Sequence, residues 1–425
     1  MDGIIKLERF VFFSILSFVF LTSFALSMEN NEVDNSLVLR DINWTAEVDY
    51  CDTLSLEDMT YILTQDIVTT GSCFLITGDN ITLDGNGHKI TGDNGTVDVA
   101  VFIAANNVTV KNFEIVNIGG SEGAIYVRIK GSKIMNNYIH DTQGLGILME
   151  HSDNNQVVGN VINNAFGGIY FEHEGRNNVI SGNSISNVNV GIDSLGGIAY
   201  NNLLENNTLE NTYEVGIDAG GFDSSIFRNG MINNSFGNAL IGGSRDVFDN
   251  IKIVNTDSSA YDFELFGGID VKLINMNVNK YKLWDFLGSP TIFNLVIRNQ
   301  FGEIKFLQPV NGSGTNLTEA IQVKDNSISL KVGQNPGFNK PAQITLYNIG
   351  NRGFVNPAIK RNLVNCPSNV CMALTPLDAQ NVVFNVTGFA YPTTTYRIGD
   401  GNRVFGPNIN PIGCYSKNGT CPETY

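Results

Sequence analysis

An all-β fold, a right-handed single-stranded parallel β-helix, is predicted by three observations. The first is a repeat in which two spaced aliphatic residues precede an asparagine or aspartate. Asn117, Asp141, Asn164, Asn187, Asn211, Asn234 and Asn255 close successive copies at intervals of 24, 23, 23, 24, 23 and 21 residues. A fixed period in this range is the signature of stacked supersecondary units. The second is that each period holds short β-branched runs bounded by Gly, Asn and Asp, which read as strands. The third is the scarcity of helix formers between those runs, so no return helix fits inside the period.

The copies run Val110 to Asn117, Ile134 to Asp141, Val157 to Asn164, Ile180 to Asn187, Leu204 to Asn211, Phe227 to Asn234 and Phe248 to Asn255. Ile115, Ile139, Ile162, Ile185, Leu209, Ile232 and Ile253 share one slot and are expected to form an inward aliphatic column. Lys280 stands where the next asparagine falls due, and Asn299 resumes the series. A leucine-rich repeat would need leucine in most slots and a helical or 3₁₀ return, and a propeller blade would need about 40 residues. The parallel β-helix fits better, and the preference for right-handed parallel crossovers sets its hand. Nine copies at about 4.8 Å each give a rod on the order of 40 Å long. The closing asparagines are expected to hydrogen-bond from coil to coil and to accept the left-handed backbone of a turn.

The ends divide as follows. Residues 1–27 read as a secretory signal, with Lys6 and Arg9 in the head, an apolar run from Phe10 to Leu21 and small residues at Ala25 and Ser27. Asp2 and Glu8 weaken that head, so an uncleaved anchor is the alternative, and membrane association is expected only in that case. Residues 28–50 read as an acidic, mobile lead-in. Residues 51–332 are the β-helix, with the strand around Tyr61 covering its first coil. Residues 333–425 lose the repeat, gain prolines and alternating strands, and read as a small β-rich cap domain.

Lys and Arg number 26 against 42 Asp and Glu, a net charge of −16. Such a surface repels phosphate backbones and excludes nucleic acid as a partner. The six cysteines fall in sequence-local pairs, Cys51 with Cys73, Cys366 with Cys371 and Cys414 with Cys421, consistent with three disulfides and a secreted or cell-surface location. Six cysteines allow 15 connectivities, so neighbour pairing is one choice among them. A zinc site is set aside because no histidine lies near any cysteine in the sequence. Ten Asn-x-Ser/Thr sequons permit glycosylation.

The passage from Tyr61 through Cys73 to Ile76, the segment Asn80 to Ile90 and the Asn-x-Ile coils resemble the secreted right-handed β-helix proteins of the pectin-lyase-like superfamily. More narrowly, they are similar to the β-helix domain of the periplasmic copper-linked accessory protein of nitrous oxide reductase. The tail, with Cys366 to Cys371 and Phe384 to Thr387, resembles caps on archaeal surface-type members. The resemblance implies fold strongly and activity weakly. The superfamily's hydrolases carry Asn-x-Asp, Asp-Asp, Gly-His-Gly and Arg-x-Lys on successive coils. Here Arg128 and Lys130 match the last, but no Asp-Asp occurs, and Lys89 follows Gly87 and His88 where glycine is required. Catalytic roles are therefore not carried over. Copper handling is also set aside, because the methionines are scattered and the cysteines are read as oxidised.

Aligning the second strand on Ile125, Ile147, Ile169, Ile192 and Ile217 places Tyr126, Leu148, Tyr170, Asp193 and Asp218 at the next offset. Arg128, Glu150 and Glu172 follow two residues on, and alternation puts both sets on the outward face. His151 and His173 follow the two glutamates, one coil apart. Stacked glutamates raise each other's pKa unless a cation intervenes, so the face suits an acid/base pair or a calcium site. Tyr126 and Tyr170 would serve as sugar platforms, with His151 and His173 beside them. The leading expectation is a non-catalytic scaffold or binding module toward glycans, with no cofactor. The alternative is a polysaccharide lyase or glycoside hydrolase using Glu150, Glu172, Asp193, Asp218 and Arg128.

Overall fold

In the computed structural model, which describes residues 44–401 apart from 96, 97, 121, 196, 235 and 285–291, the repeat folds as a parallel β-helix of about 10 turns. Each coil is closed by strands that hydrogen-bond only to their counterparts above and below. One sheet stacks short strands such as Thr109–Lys111, Lys133–Met135, Gln156–Val158 and Val179–Ser181 in register, so Val110, Ile134, Val157 and Ile180 face one another, all fully buried. The predicted column is present in the second sheet: Ile115, Ile139, Ile162, Ile185, Leu209, Ile232 and Ile253 pair in sequence, and all but Ile253 are buried. Fully burying an aliphatic side chain contributes roughly 1.5–3 kcal/mol, so the column is a large share of the driving force.

Asparagine does two jobs, of which the repeat pattern predicts only one. Asn117, Asn164, Asn187 and Asn211 hold positive φ at the outer turn, as expected of a side chain that tolerates the left-handed region. Their coil-to-coil bonds are present but interrupted: Asn164 Nδ2 donates to Asp141 Oδ1 at 2.5 Å and Asn211 Nδ2 reaches Asn187 Oδ1 at 3.4 Å, while Asn187 Nδ2 bonds to Asn163 instead. The continuous ladders run inside. Asn137, Asn160, Asn183 and Asn207 are 1, 0, 1 and 4% exposed, and from Asn160 onward each amide oxygen receives the backbone N–H of the member one coil earlier, at 2.9–3.0 Å. Their Nδ2 groups donate to the carbonyls of Val110, Ile134, Val157 and Ile180. A second ladder, Asn155, Asn178 and Asn202, continues into Ser225 and Asp246. Asp246 occupies the amide position with a carboxyl group, and burial pushes it up to about 8.

Two expectations about the ends are corrected. Trp44–Val48, placed in the mobile lead-in, is a strand paired in parallel with Met59–Leu63. The strand around Tyr61 is thus itself a coil strand, and Trp44–Val48 covers its edge, because an open edge leaves backbone groups unpaired. At the other end the first sheet continues past the coils, but its direction changes. Val296–Asn299 pairs antiparallel with Gly302–Phe306, which pairs antiparallel with Ala342–Leu346, and that strand with Val382–Val386. A five-stranded antiparallel sheet built on Thr394–Asp400 completes the C-terminal part.

Cys51 bonds to Cys73 and Cys366 to Cys371, and the described residues hold no free cysteine. The signal segment and the Cys414 and Cys421 pair lie outside the described residues. Among the described residues, no helix is long and apolar enough to cross a membrane.

Candidate functional site

The strands Leu145–Asp153, Gly167–Arg176, Ser184–Leu195 and Thr208–Asp218 carry every candidate predicted outward on the second sheet, apart from the pair Tyr126 and Arg128. Tyr126 belongs to Gly123–Val127 and Arg128 immediately follows it. The registers confirm the columns: Tyr126 faces Leu148, Leu148 faces Tyr170, Tyr170 faces Asp193, Asp193 faces Asp218, and Glu150 faces Glu172. Small residues at the start of these strands fix their approach. A Cβ on Gly168 would sit 2.1 Å from the Gly191 carbonyl oxygen, and one on Gly191 would meet Leu209.

The face is not uniformly exposed, which corrects the expectation that Tyr126 and Tyr170 present open sugar platforms. Tyr126 and Tyr170 are 8 and 5% exposed and pack with Val99, Leu145, Leu148 and Val190 in an apolar cluster outside the helical core. The Tyr170 ring lies over Gly167, where an added Cβ would come within 2.4 Å of its edge. Burial, reinforced by neighbouring carboxylates, raises the hydroxyl pKa of both tyrosines. As placed, neither ring offers an open face to a sugar.

At the edge of this cluster Glu150 is buried and tightly held. The Tyr126 hydroxyl donates to its Oε2. Arg128 Nε lies 2.8 Å from the same oxygen, while Arg128 Nη2 reaches Oε1 at 3.4 Å. The arginine therefore supplies the cation that lets Glu150 and the half-buried Glu172 sit one coil apart. A register shift after Glu150 places His151 against a strand with one extra residue, and His151 and His173 both adopt positive φ there. Their exposed rings stack with centroids 4.7 Å apart and planes 16° apart. His173 Nε2 lies 3.9 Å from Glu150 Oε1, and one ligand atom from each of Glu150, His151 and His173 falls within 4.8 Å of the others.

Two coils on, the same column turns acidic. Asp193 is half-buried and pushed up to about 6, by burial first and by Asp218 second. Asp218 is also raised, by burial, although its Oδ1 accepts the Gly220 N–H at 2.9 Å. One coil after the intervening Ile241, Glu264 in the same column is closed off by Asn238, Trp284 and Lys282.

Sequence reasoning missed an exposed aromatic pair on the coil of Asp218 and the coil after it. Tyr213 and Phe236, 50 and 54% exposed, occupy matching corners one coil apart, with ring centroids at 5.9 Å. Phe166, 55% exposed, holds a similar corner two coils before Tyr213. Each precedes by two or three residues the small residue before the inward aliphatic, Gly168, Gly216 and Ala239, so extending the alignment a few residues upstream would have exposed the column. Tyr213 and Asp218 lie five residues apart on one strand, a span of at most about 17 Å. Elsewhere, a cleft of about 760 Å³ is bordered by Asn229, Asp249, Arg298 and Tyr347 on the other sheet.

The family model described as NosD, periplasmic copper-binding protein, matches residues 30–251, more than half of the chain. None of the curated proteins matches. Similar solved structures include the Dettilon tailspike protein gp208, at 12% identity and a TM-score of 0.41, covering 84% of this chain and 86% of that one. PfbA, a surface adhesin of Streptococcus pneumoniae, shows 11% identity and a TM-score of 0.39 over 64% of this chain and 87% of that one. The tailspike of E. coli bacteriophage HK620, solved with a pentasaccharide, shows 9% identity and a TM-score of 0.35 over 83 and 85%.

Proposed function

The chain belongs to the NosD family of periplasmic copper-binding proteins, and from that premise we propose that it is an exported β-helix binding module whose later coils engage glycan chains. The observation that carries this reading is the exposed pair Tyr213 and Phe236, with Tyr213 on the coil that presents Asp218 and Phe236 on the coil after it. Aromatic faces stack on the apolar side of a pyranose, and carboxylates accept its hydroxyls, so a ridge of one with a column of the other on adjoining coils suits an oligosaccharide. The disulfides Cys51–Cys73 and Cys366–Cys371 support an oxidising compartment outside the cytoplasm. The family description raises copper, and the imidazoles of His151 and His173 with the Glu150 carboxylate are the described groups that fit it.

The test is a glycan array with the full-length protein, repeated with Tyr213→Ala and Phe236→Ala. The reading requires saturable binding to at least one oligosaccharide, lost in the double variant without loss of fold. Uniform failure to bind across neutral and basic glycans would sink it.

One observation favours a second reading, polysaccharide cleavage. Asp193, pushed up to about 6, keeps its proton into the mildly acidic range, as a general acid needs, and Asp218 pairs with it in register as the second carboxylate. Reducing-end or unsaturated-product release that disappears in Asp193→Asn while binding persists would favour the enzyme. Binding without turnover favours the module.

A further inference from the structure

We propose that Glu150, His151 and His173 form a site for a divalent borderline cation, Cu²⁺ or Zn²⁺, on the surface of the β-helix, independent of the glycan face. Three features carry it. Two of the chain's four histidines, though 22 residues apart in sequence, stack at 4.7 Å because the bulge after Glu150 throws both onto the same edge. A carboxylate oxygen, Glu150 Oε1, faces them at 3.9 Å from His173 Nε2. Metal–nitrogen and metal–oxygen bonds of about 2.0–2.2 Å span donor atoms up to roughly 4 Å apart, so a modest side-chain rotation closes the set around one ion.

The carboxylate has the support that metal ligands usually carry. Its other oxygen, Oε2, is held by the Tyr126 hydroxyl and by Arg128 Nε at 2.8 Å, which fixes the orientation of Oε1 toward the imidazoles. Tyr126 is in turn locked in the apolar cluster and stacked on Phe102 at 4.8 Å. The histidines themselves are exposed, leaving open coordination positions for water or for a ligand from a partner.

Donor chemistry selects the ion. Two imidazoles and one carboxylate match Cu²⁺ or Zn²⁺, whereas Ca²⁺ takes six to eight oxygens and cuprous copper prefers thiolate and thioether. Met149, adjacent in sequence, cannot supply a thioether because it is fully buried in the core. His140 is a poor competitor: its Nδ1 is 2.7 Å from Asp141 and its Nε2 3.2 Å from Glu114, so both nitrogens are engaged.

The histidines occupy left-handed backbone positions that this chain fills most often with asparagine, so His151→Asn and His173→Asn remove the ligands while keeping the turn. The experiment is calorimetry and electron paramagnetic resonance with Cu²⁺ alone on chelator-treated full-length protein. We expect one equivalent to bind tightly, with nitrogen hyperfine structure in the cupric signal, and affinity at least 10-fold weaker in the double variant at unchanged circular dichroism. His88→Asn with His140→Asn should leave binding intact. Equal affinity in the His151/His173 double variant, loss only in the His88/His140 variant, tighter binding of Ca²⁺ than of Cu²⁺, or no stoichiometric binding would each overturn the site. A double variant that loses its fold is replaced by Glu150→Gln, which must also weaken Cu²⁺ binding.

Discussion

Inside and outside, the coils obey the same period but use it in opposite ways. Inside, one residue type recurs because each copy must complete the hydrogen bonds of the copy before it: Asn160 needs Asn183, which needs Asn207. Outside, the same columns drift from tyrosine to leucine to aspartate within five coils, because nothing above or below demands repetition. The repeat is thus strictest where the chain is buried. Functional candidates lie where the period is kept but the residue type is free.

The largest effect that would sharpen this contrast is inside. Asn183→Ala removes the acceptor of the Asn160 N–H and the donor to the Val157 carbonyl, leaving buried groups unpaired. We expect a loss of about 3 kcal/mol in chemical denaturation and no change in ligand affinity for properly folded protein. A loss below about 1 kcal/mol would mean that the ladder is dispensable.

Asp246→Asn comes next, and its sign depends on pH. The carboxyl is raised to about 8 from an ordinary value near 4, so the folded state holds a proton that the unfolded state has released. The wild-type contribution is complete below about pH 4 and is lost progressively as pH rises through about 8. The amide has no such dependence. The substitution should therefore stabilise the protein by on the order of 1–2 kcal/mol at about pH 8 and by little at about pH 4, read as the difference in urea midpoints.

Outside, the pattern should invert. Tyr213→Ala with Phe236→Ala should weaken oligosaccharide affinity about 10-fold, or about 1.4 kcal/mol, with a nearly unchanged denaturation midpoint. Unfolding by this pair would assign the ridge to structure and break the comparison. The smallest effect is expected of Asn187→Gly at the outer turn. Glycine accepts positive φ, so stability should move by no more than about 0.5 kcal/mol, in contrast to Asn183 only four residues away.

Asn183 and Asn187 also show how far the sequence could be read. The period revealed the coils and the isoleucine column, since spaced aliphatics need no partner to be recognised. It did not separate the two asparagine classes. The ladder residue follows a left-handed position, as Asn137 follows Asn136 and Asn160 follows Gly159, whereas Asn187 occupies such a position itself. The distinction lies in where the side chain meets the adjoining coil, a contact 23 residues away for Asn160 with Asn183.

The outward columns were legible for the same reason as the core, through alternation along the strand. Alternation fixes direction but not cover. Tyr170 points outward and is still buried, because Gly167 lets its ring fold down onto the sheet beside Leu145. The pairing of His151 with His173 was visible in the repeated Glu-His. Its approach to a single Glu150 oxygen depended on a bulge that spacing alone does not show.

The change of strand direction after Val296–Asn299 has a consequence for growth. A stack of parallel coils ends in a template that the next chain could extend, as fibrils do. Here Gly302–Phe306 occupies that edge running the other way, and Ala342–Leu346 and Val382–Val386 follow it in alternating directions. The last coil strand is therefore already paired within its own chain, and its backbone groups are not left open as a template for another copy.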